Sequence, residues 1–232
     1  MQLLKRIITY FSKAELFLWI SSMAVILATF FIFSNDGYFS LIASLIGITS
    51  LIFCAKGNPV GQVMMIVFAT FYGGISFGFA YYGEMITYIG MTLPMAVISL
   101  ISWLKNPYKG NKAEVRVNRI KSKEVLFMLL LSAMVTIIFY YILKFTNTAN
   151  LIPSTLSVTT SFVAAYLTFR RSAFFALAYA LNDIVLIVMW ILAAIEDISY
   201  LSVVICFSMF LINDLYGFYN WRRMEKKQNS QA

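Results

Sequence analysis

Residues 170–223 read RRSAFFALAYALNDIVLIVMWILAAIEDISYLSVVICFSMFLINDLYGFYNWRR. Two arginines open the stretch, two close it, and one acidic pair, Glu196-Asp197, divides it. Each apolar run between these charges is long enough to cross the hydrocarbon core of a bilayer as a helix, which takes about 20 residues. A spanning strand would alternate polar and apolar residues, and neither run does so. The stretch therefore predicts a helical hairpin that crosses a membrane and returns, with basic residues on one side and an acidic turn on the other.

The same grammar extends outward. The chain has 232 residues, of which 61% are hydrophobic and 12% charged, with a mean hydropathy of +0.80. Soluble domains carry about 25% charge, and disorder requires low hydrophobicity, so both classes are excluded. Eight segments qualify as spans: 15–34, 37–55, 60–82, 85–104, 125–144, 150–169, 172–195 and 198–221. Turn and cap residues separate them: Asn35-Asp36-Gly37, Lys56-Gly57-Asn58-Pro59, Gly83-Glu84, Thr146-Asn147 and Glu196-Asp197. The one long loop, 105–124, is basic and too short for a soluble domain. The predicted fold class is an all-α polytopic membrane protein with eight transmembrane helices.

Charge fixes the expected sidedness. With both termini cytoplasmic, seventeen of the 18 basic residues fall on the inner side, Lys144 being the exception, while Asp36, Glu84, Glu196 and Asp197 fall outside. Cytoplasmic loops carry excess Lys and Arg, and a miscounted helix would scramble the partition. The net charge of +8 then faces anionic lipid rather than nucleic acid. No small-residue cleavage site follows the first run, which is read as an anchor. The expected location is a bacterial inner membrane.

The segments also read as a repeat. Residues 37–104 form a three-helix unit ending in Ser102-Trp103, and 150–221 form another ending in Asn220-Trp221. Each has a basic turn followed by an acidic one. The linker helix between them keeps the units parallel. The expected organisation is an extra N-terminal helix (1–36), the first unit (37–104), a basic loop with the linker helix (105–149), the second unit (150–221) and a basic tail (222–232). Transporters built from parallel repeats hold their solute near the midplane, between the repeats.

The chain has no histidine, which removes the usual general base and the commonest metal ligand. Cys54 and Cys206 sit within apolar runs as small hydrophobes. No phosphate-binding glycine loop and no GxSxG, HExxH or CxxC motif appears, so neither an enzyme nor a cofactor is expected. Ionisable groups inside a membrane are costly and mark function. Two carboxylates lie well inside spans, Asp183 and Asp214, each after an asparagine, as Asn182-Asp183 and Asn213-Asp214. Tyr179, Asp183 and Trp190 share one helix face, and Asn213, Tyr216 and Asn220 another. Asparagine and aspartate suit a sugar diol, and aromatic faces suit a ring, above all a cationic one. Interhelical bonding is the competing use of the asparagines. Tyr72, Tyr88 and Thr92 complete the candidate set, with Pro94 as a helix irregularity.

These residues carry a resemblance. Segment eight with its tail, Leu211 to Arg223, is similar to the closing helix of the PnuC family of vitamin transporters. Ala180-Leu181-Asn182-Asp183 resembles that family's asparagine-bearing helix, and Thr92-Leu93-Pro94-Met95 through Trp103 resembles the end of its first unit. The resemblance covers residues 37–225. It implies a 3+1+3 fold related to the SWEET sugar transporters and facilitated diffusion of nicotinamide riboside. It also implies a trimer, a cytoplasmic kinase that traps the solute, and contact of Asn182 and Asn213 with it. Thiamine and riboflavin carriers of the same fold are alternatives, as is a vitamin-binding subunit of an ATPase-driven importer. Phe68 stands where the family often has another asparagine.

Overall fold

The computed structural model describes residues 10–34, 37–78, 82–148 and 150–231. Lys5, Arg6, Asn35 and Asp36, which enter the charge partition and the first turn, lie outside the described residues. Among the described residues eight helices are long and apolar enough to cross a membrane, as the sequence predicts. They are α1 (Lys13–Phe33), α2 (Tyr38–Ala55), α3 (Val60–Gly78), α4 (Tyr82–Leu104), α5 (Ser122–Phe145), α6 (Leu151–Phe169), α7 (Phe175–Glu196) and α8 (Leu201–Ser230). The last runs further than the apolar pattern requires. Beyond Trp221 its polar turns are held by bonds to the long loop, as described below.

Six helices pack in a closed order: α2 on α3, α3 on α4, α4 on α6, α6 on α7, α7 on α8, and α8 back on α2. Helix α1 lies against α8 and α2, and α5 against α6. Leu, Ile, Phe and Val side chains remain exposed along the outer faces, as contact with lipid requires. Close approach inside depends on small residues. A Cβ at Gly217 of α8 would lie 3.4 Å from Ala176 of α7 and 3.7 Å from Ala55 of α2. Tyr88–Thr92 of α4 forms a single π-turn, and Thr92 Oγ1 donates to the Thr87 carbonyl at 3.3 Å. Pro94 follows two residues later, so the irregularity falls where a missing backbone donor places it.

The loop between α4 and α5 departs from the expectation of no strands. Pro107–Tyr108 and Asn111–Val115 form a small antiparallel hairpin, β1 and β2, around Gly110 at φ +79°. The pairing is too short to show as alternation in the sequence. This loop crosses the end of the molecule that carries the basic turns. Val115 N donates to Gly57 O at 3.0 Å and Asn118 N to Arg171 O at 2.9 Å. Gln228 of α8 closes it, with Oε1 accepting from Val117 N at 2.8 Å and Nε2 donating to Val115 O at 3.1 Å.

Candidate functional site

Asp183 of α7 and Asp214 of α8 come together. Both are buried, at 4% and 5% exposure, on two helices that pack on each other, and each lies within the other's electrostatic reach. Gly217 lies one turn beyond Asp214 and Ala176 two turns before Asp183, and their small-residue contact lets the two backbones approach. Asp183 Oδ2 is buried and no donor reaches it; the group opposite is the second acid. Tyr179, one turn before Asp183, lies within electrostatic reach of both acids and of Cys54, and Cys206 lies within reach of Asp183. Both cysteines are free and buried. Among the described residues no lysine or arginine pairs with either acid.

The aromatic candidates cluster on the facing helices. Tyr72 and Phe68 of α3 are 4.9 Å apart, and Tyr72 stacks near Tyr88 of α4 at 5.1 Å with a 33° tilt. Phe68 and Phe210 both close over Gly47, where a Cβ would lie 2.7 Å from the Phe210 ring and 3.0 Å from the Phe68 ring. Tyr72 lies within reach of Cys206 and Glu84. It also borders a small cleft of ≈ 20 Å³ near Ser40, Ser44, Ser202 and Cys206. A file of polar groups thus runs from the partly buried Glu84 and Tyr72 past the buried Cys206 to the two buried acids and on to the partly buried Tyr179 and the buried Cys54. Beyond Cys54, Gln62 Nε2 donates to its sulfur at 3.3 Å and Ser50 Oγ to Gly61 O at 2.8 Å.

Other candidates are used differently. Asn182 Oδ1 accepts from Thr160 at 2.7 Å, Ser161 at 3.0 Å and Ser157 at 3.3 Å, which clips α7 to α6. Asn213 Nδ2 donates to Ser22 Oγ of α1 at 2.9 Å and to Met209 O at 2.8 Å. Tyr216 donates to Glu15 Oε1 of α1 at 3.0 Å. Trp190 packs near Tyr200 at 5.4 Å. Thr92 is engaged by the π-turn. The acid pair and the tyrosine pair are therefore the candidates the fold assembles around one path. Glu15 is the important residue that sequence reasoning missed. It is 3% exposed, forms a capping box with Ser12, and pairs with Lys56 at 3.1 Å. The Ser12-x-x-Glu15 spacing was the available signal.

The helices are tied together at the basic end by bonds that occur twice. Trp103 Nε1 donates to Thr168 O at 2.9 Å, and Trp221 Nε1 to Cys54 O at 2.8 Å. Ser102 Oγ donates to Phe169 O and Asn220 Nδ2 to Ala55 O, both at 2.8 Å. Glu15 pairs with Lys56, and Glu124 of α5 pairs with Arg170. Gly57 and Arg171, at matching turn positions, have φ of +66° and +55°. The indoles, 1% and 0% exposed, meet at 5.4 Å, and Phe175 packs on Trp221 at 4.8 Å. At this turn, burial and the neighbouring Arg170 and Arg116 lower the Arg171 pKa.

Comparison with known proteins places this architecture. Residues 37–223 match the model of a family described as nicotinamide mononucleotide transporter. A nicotinamide riboside transporter PnuC from Neisseria mucosa is 24% identical over 96% of this chain and 85% of that relative. The protein of the same name from Haemophilus influenzae is 23% identical, over 91% of each chain. The crystal structure of the vitamin B3 transporter PnuC superposes with a TM-score of 0.79 at 21% identity, covering 94% of both chains; it shares the fold. With four-fifths of its length matched by one family model, the chain belongs to the nicotinamide mononucleotide transporter family.

Proposed function

We propose that this protein carries nicotinamide riboside into the cell by facilitated diffusion and catalyses no reaction. The carrying observation is the acid pair, with no lysine or arginine among the described residues paired to it and with Tyr72, Tyr88 and Tyr179 nearby. Nicotinamide riboside has a flat ring with a fixed positive charge, a sugar diol and no phosphate. Two carboxyls and aromatic faces suit that combination. A mononucleotide would bring its phosphate to a site that offers no cation and two acids, which disfavours it. Thiamine also carries a fixed cationic ring and is the second reading the acid pair supports; riboflavin is neutral and is not.

The paired bonds support a parallel 3+1+3 repeat with α1 as the additional helix, related to the SWEET transporters. In this reading the units 37–104 and 150–221 rock about the central path while the indole seal opens and closes the basic end. The charge partition supports an inner-membrane orientation with both termini in the cytoplasm. A trimer and a cytoplasmic kinase that phosphorylates the riboside are the partners that the family resemblance implies.

Uptake of labelled nicotinamide riboside into proteoliposomes tests the reading. Saturable uptake that unlabelled riboside competes away is expected. Uptake of thiamine with none of the riboside would refute the substrate.

A further inference from the structure

We propose that a cavity at the basic end, between the α4–α5 loop, the α6–α7 turn and the close of α8, binds a phosphate group, carried by an anionic lipid or by a small soluble ester. The cavity encloses ≈ 250 Å³. The loop lends it Asn118 and Arg119, the turn Ser172 and Phe174, and α8 Arg222 and Glu225. Glu225 is 5% exposed and gathers both arginines. Arg119 Nε donates to its Oε1 at 2.5 Å and Arg222 Nη1 to its Oε2 at 2.6 Å. One carboxylate does not balance two guanidiniums, and Glu225 is the only acid among the described residues of the lining. Each guanidinium has N–H groups to spare, and among the described residues Glu225 is the one hydrogen-bond acceptor that either reaches. Ser172, 2% exposed, accepts from Phe174 N at 3.4 Å through its Oγ, which leaves its hydroxyl proton to give.

These donors are held before any ligand arrives. Asn118 N donates to Arg171 O at 2.9 Å and its Nδ2 to Arg170 O at 3.1 Å, which pins the loop to the turn. The Arg222 guanidinium lies 5.3 Å from the centre of the Phe174 ring, which holds it against the turn. Donors arranged in advance cost little to order on binding. A planar guanidinium grips phosphate through paired N–H bonds, and one phosphate has oxygens for two such forks and a hydroxyl. Arg170, the neighbouring cation, is taken by Glu124 and does not compete. The exposed Phe174 ring borders the cavity where the apolar run of α7 begins, the depth at which basic pockets meet lipid headgroups. A phosphate that bridges Arg119 and Arg222 joins the loop to α8, and so favours the state in which the basic end is closed.

The test uses the purified full-length protein in neutral detergent, with phosphatidylglycerol as the lipid probe and glycerol 3-phosphate as the soluble one. Saturable binding of about one probe per chain is expected, with a rise in apparent Tm. Binding of glycerol 3-phosphate shows that a soluble ester reaches the site; saturation by phosphatidylglycerol alone restricts it to the headgroup. Arg119→Gln and Arg222→Gln are each expected to weaken binding about tenfold. Lys112→Gln removes an equal charge from an exposed position of β2 outside the lining and is expected to leave binding unchanged. In the wild type, saturating probe is expected to slow phenylglyoxal modification of Arg119 several-fold while the exposed Arg116, off the lining, reacts as before. That readout stands even if a variant fails to fold. No saturable binding of either probe, equal weakening by Lys112→Gln, or protection of Arg119 no greater than that of Arg116 would overturn the site.

Discussion

The indole seal yields a quantitative expectation. Changing Trp221 to Phe keeps an aromatic ring at a position of 0% exposure but removes the N–H that reaches Cys54 O at 2.8 Å. That carbonyl retains the Gly57 N–H at 2.9 Å, so the loss is one buried hydrogen bond rather than an orphaned acceptor. Such a bond contributes about 1 kcal/mol, which makes opening of the basic end about fivefold more frequent. Trp103→Phe removes the equivalent bond to Thr168 O and gives a similar factor. The indoles meet at 5.4 Å, close enough that the double variant should deviate from the product of the two factors. The native Cys54 thiol, 4% exposed and just inside the seal, is the reporter; Cys206, 7% exposed, lies toward the other end. Alkylation of Cys54 by a membrane-permeant maleimide should quicken about fivefold in either single variant, with Cys206 little changed. An unchanged rate at Cys54 would refute the seal. An equal rise at both thiols would show general loosening instead.

Two further substitutions probe the frame. Glu15→Gln leaves the Lys56 ammonium without its anion in a pair of which the acid is 3% exposed; a loss of about 1–3 kcal/mol is expected, read as a fall of several degrees in the apparent Tm of the purified protein. Gly61→Ala places a Cβ 2.5 Å from Cys54 Sγ and 2.7 Å from Cys54 N, backbone that cannot yield without parting α2 from α3. It should destabilise by about 1–3 kcal/mol, whereas Gly74→Ala, which meets nothing within 4 Å, should not lower the Tm.

Much of this was legible because a membrane imposes simple rules. Apolar length gave the eight spans, and the two mid-span aspartates stood out because carboxyls there are costly. The matching Ser102-Trp103 and Asn220-Trp221 ends marked positions that make equivalent bonds. What the sequence hid was which helix each face meets. The spacing of Asn213, Tyr216 and Asn220 defines a face of α8, but nothing in it says that α1 will occupy part of that face. Ser22 and Glu15 take Asn213 and Tyr216, while Ala55 O takes Asn220. Asn182 is spent on three hydroxyls of α6 for the same reason. The hairpin at 107–115 escaped because its pairing depends on a left-handed glycine and on acceptors in turns far away in sequence.

The loop that crosses the basic end has a kinetic consequence. It is hydrogen-bonded to the α2–α3 turn, the α6–α7 turn and the end of α8, so parting the helices there means releasing a lacing as well as two indoles. The connections at the opposite end are only a few residues long, and none is long enough to span it. The two ends of a carrier built this way are therefore unequally held, and the basic end is the costlier one to open. An antibody fragment that grips residues 107–118 would act as a brake on the cycle without touching the path of the solute.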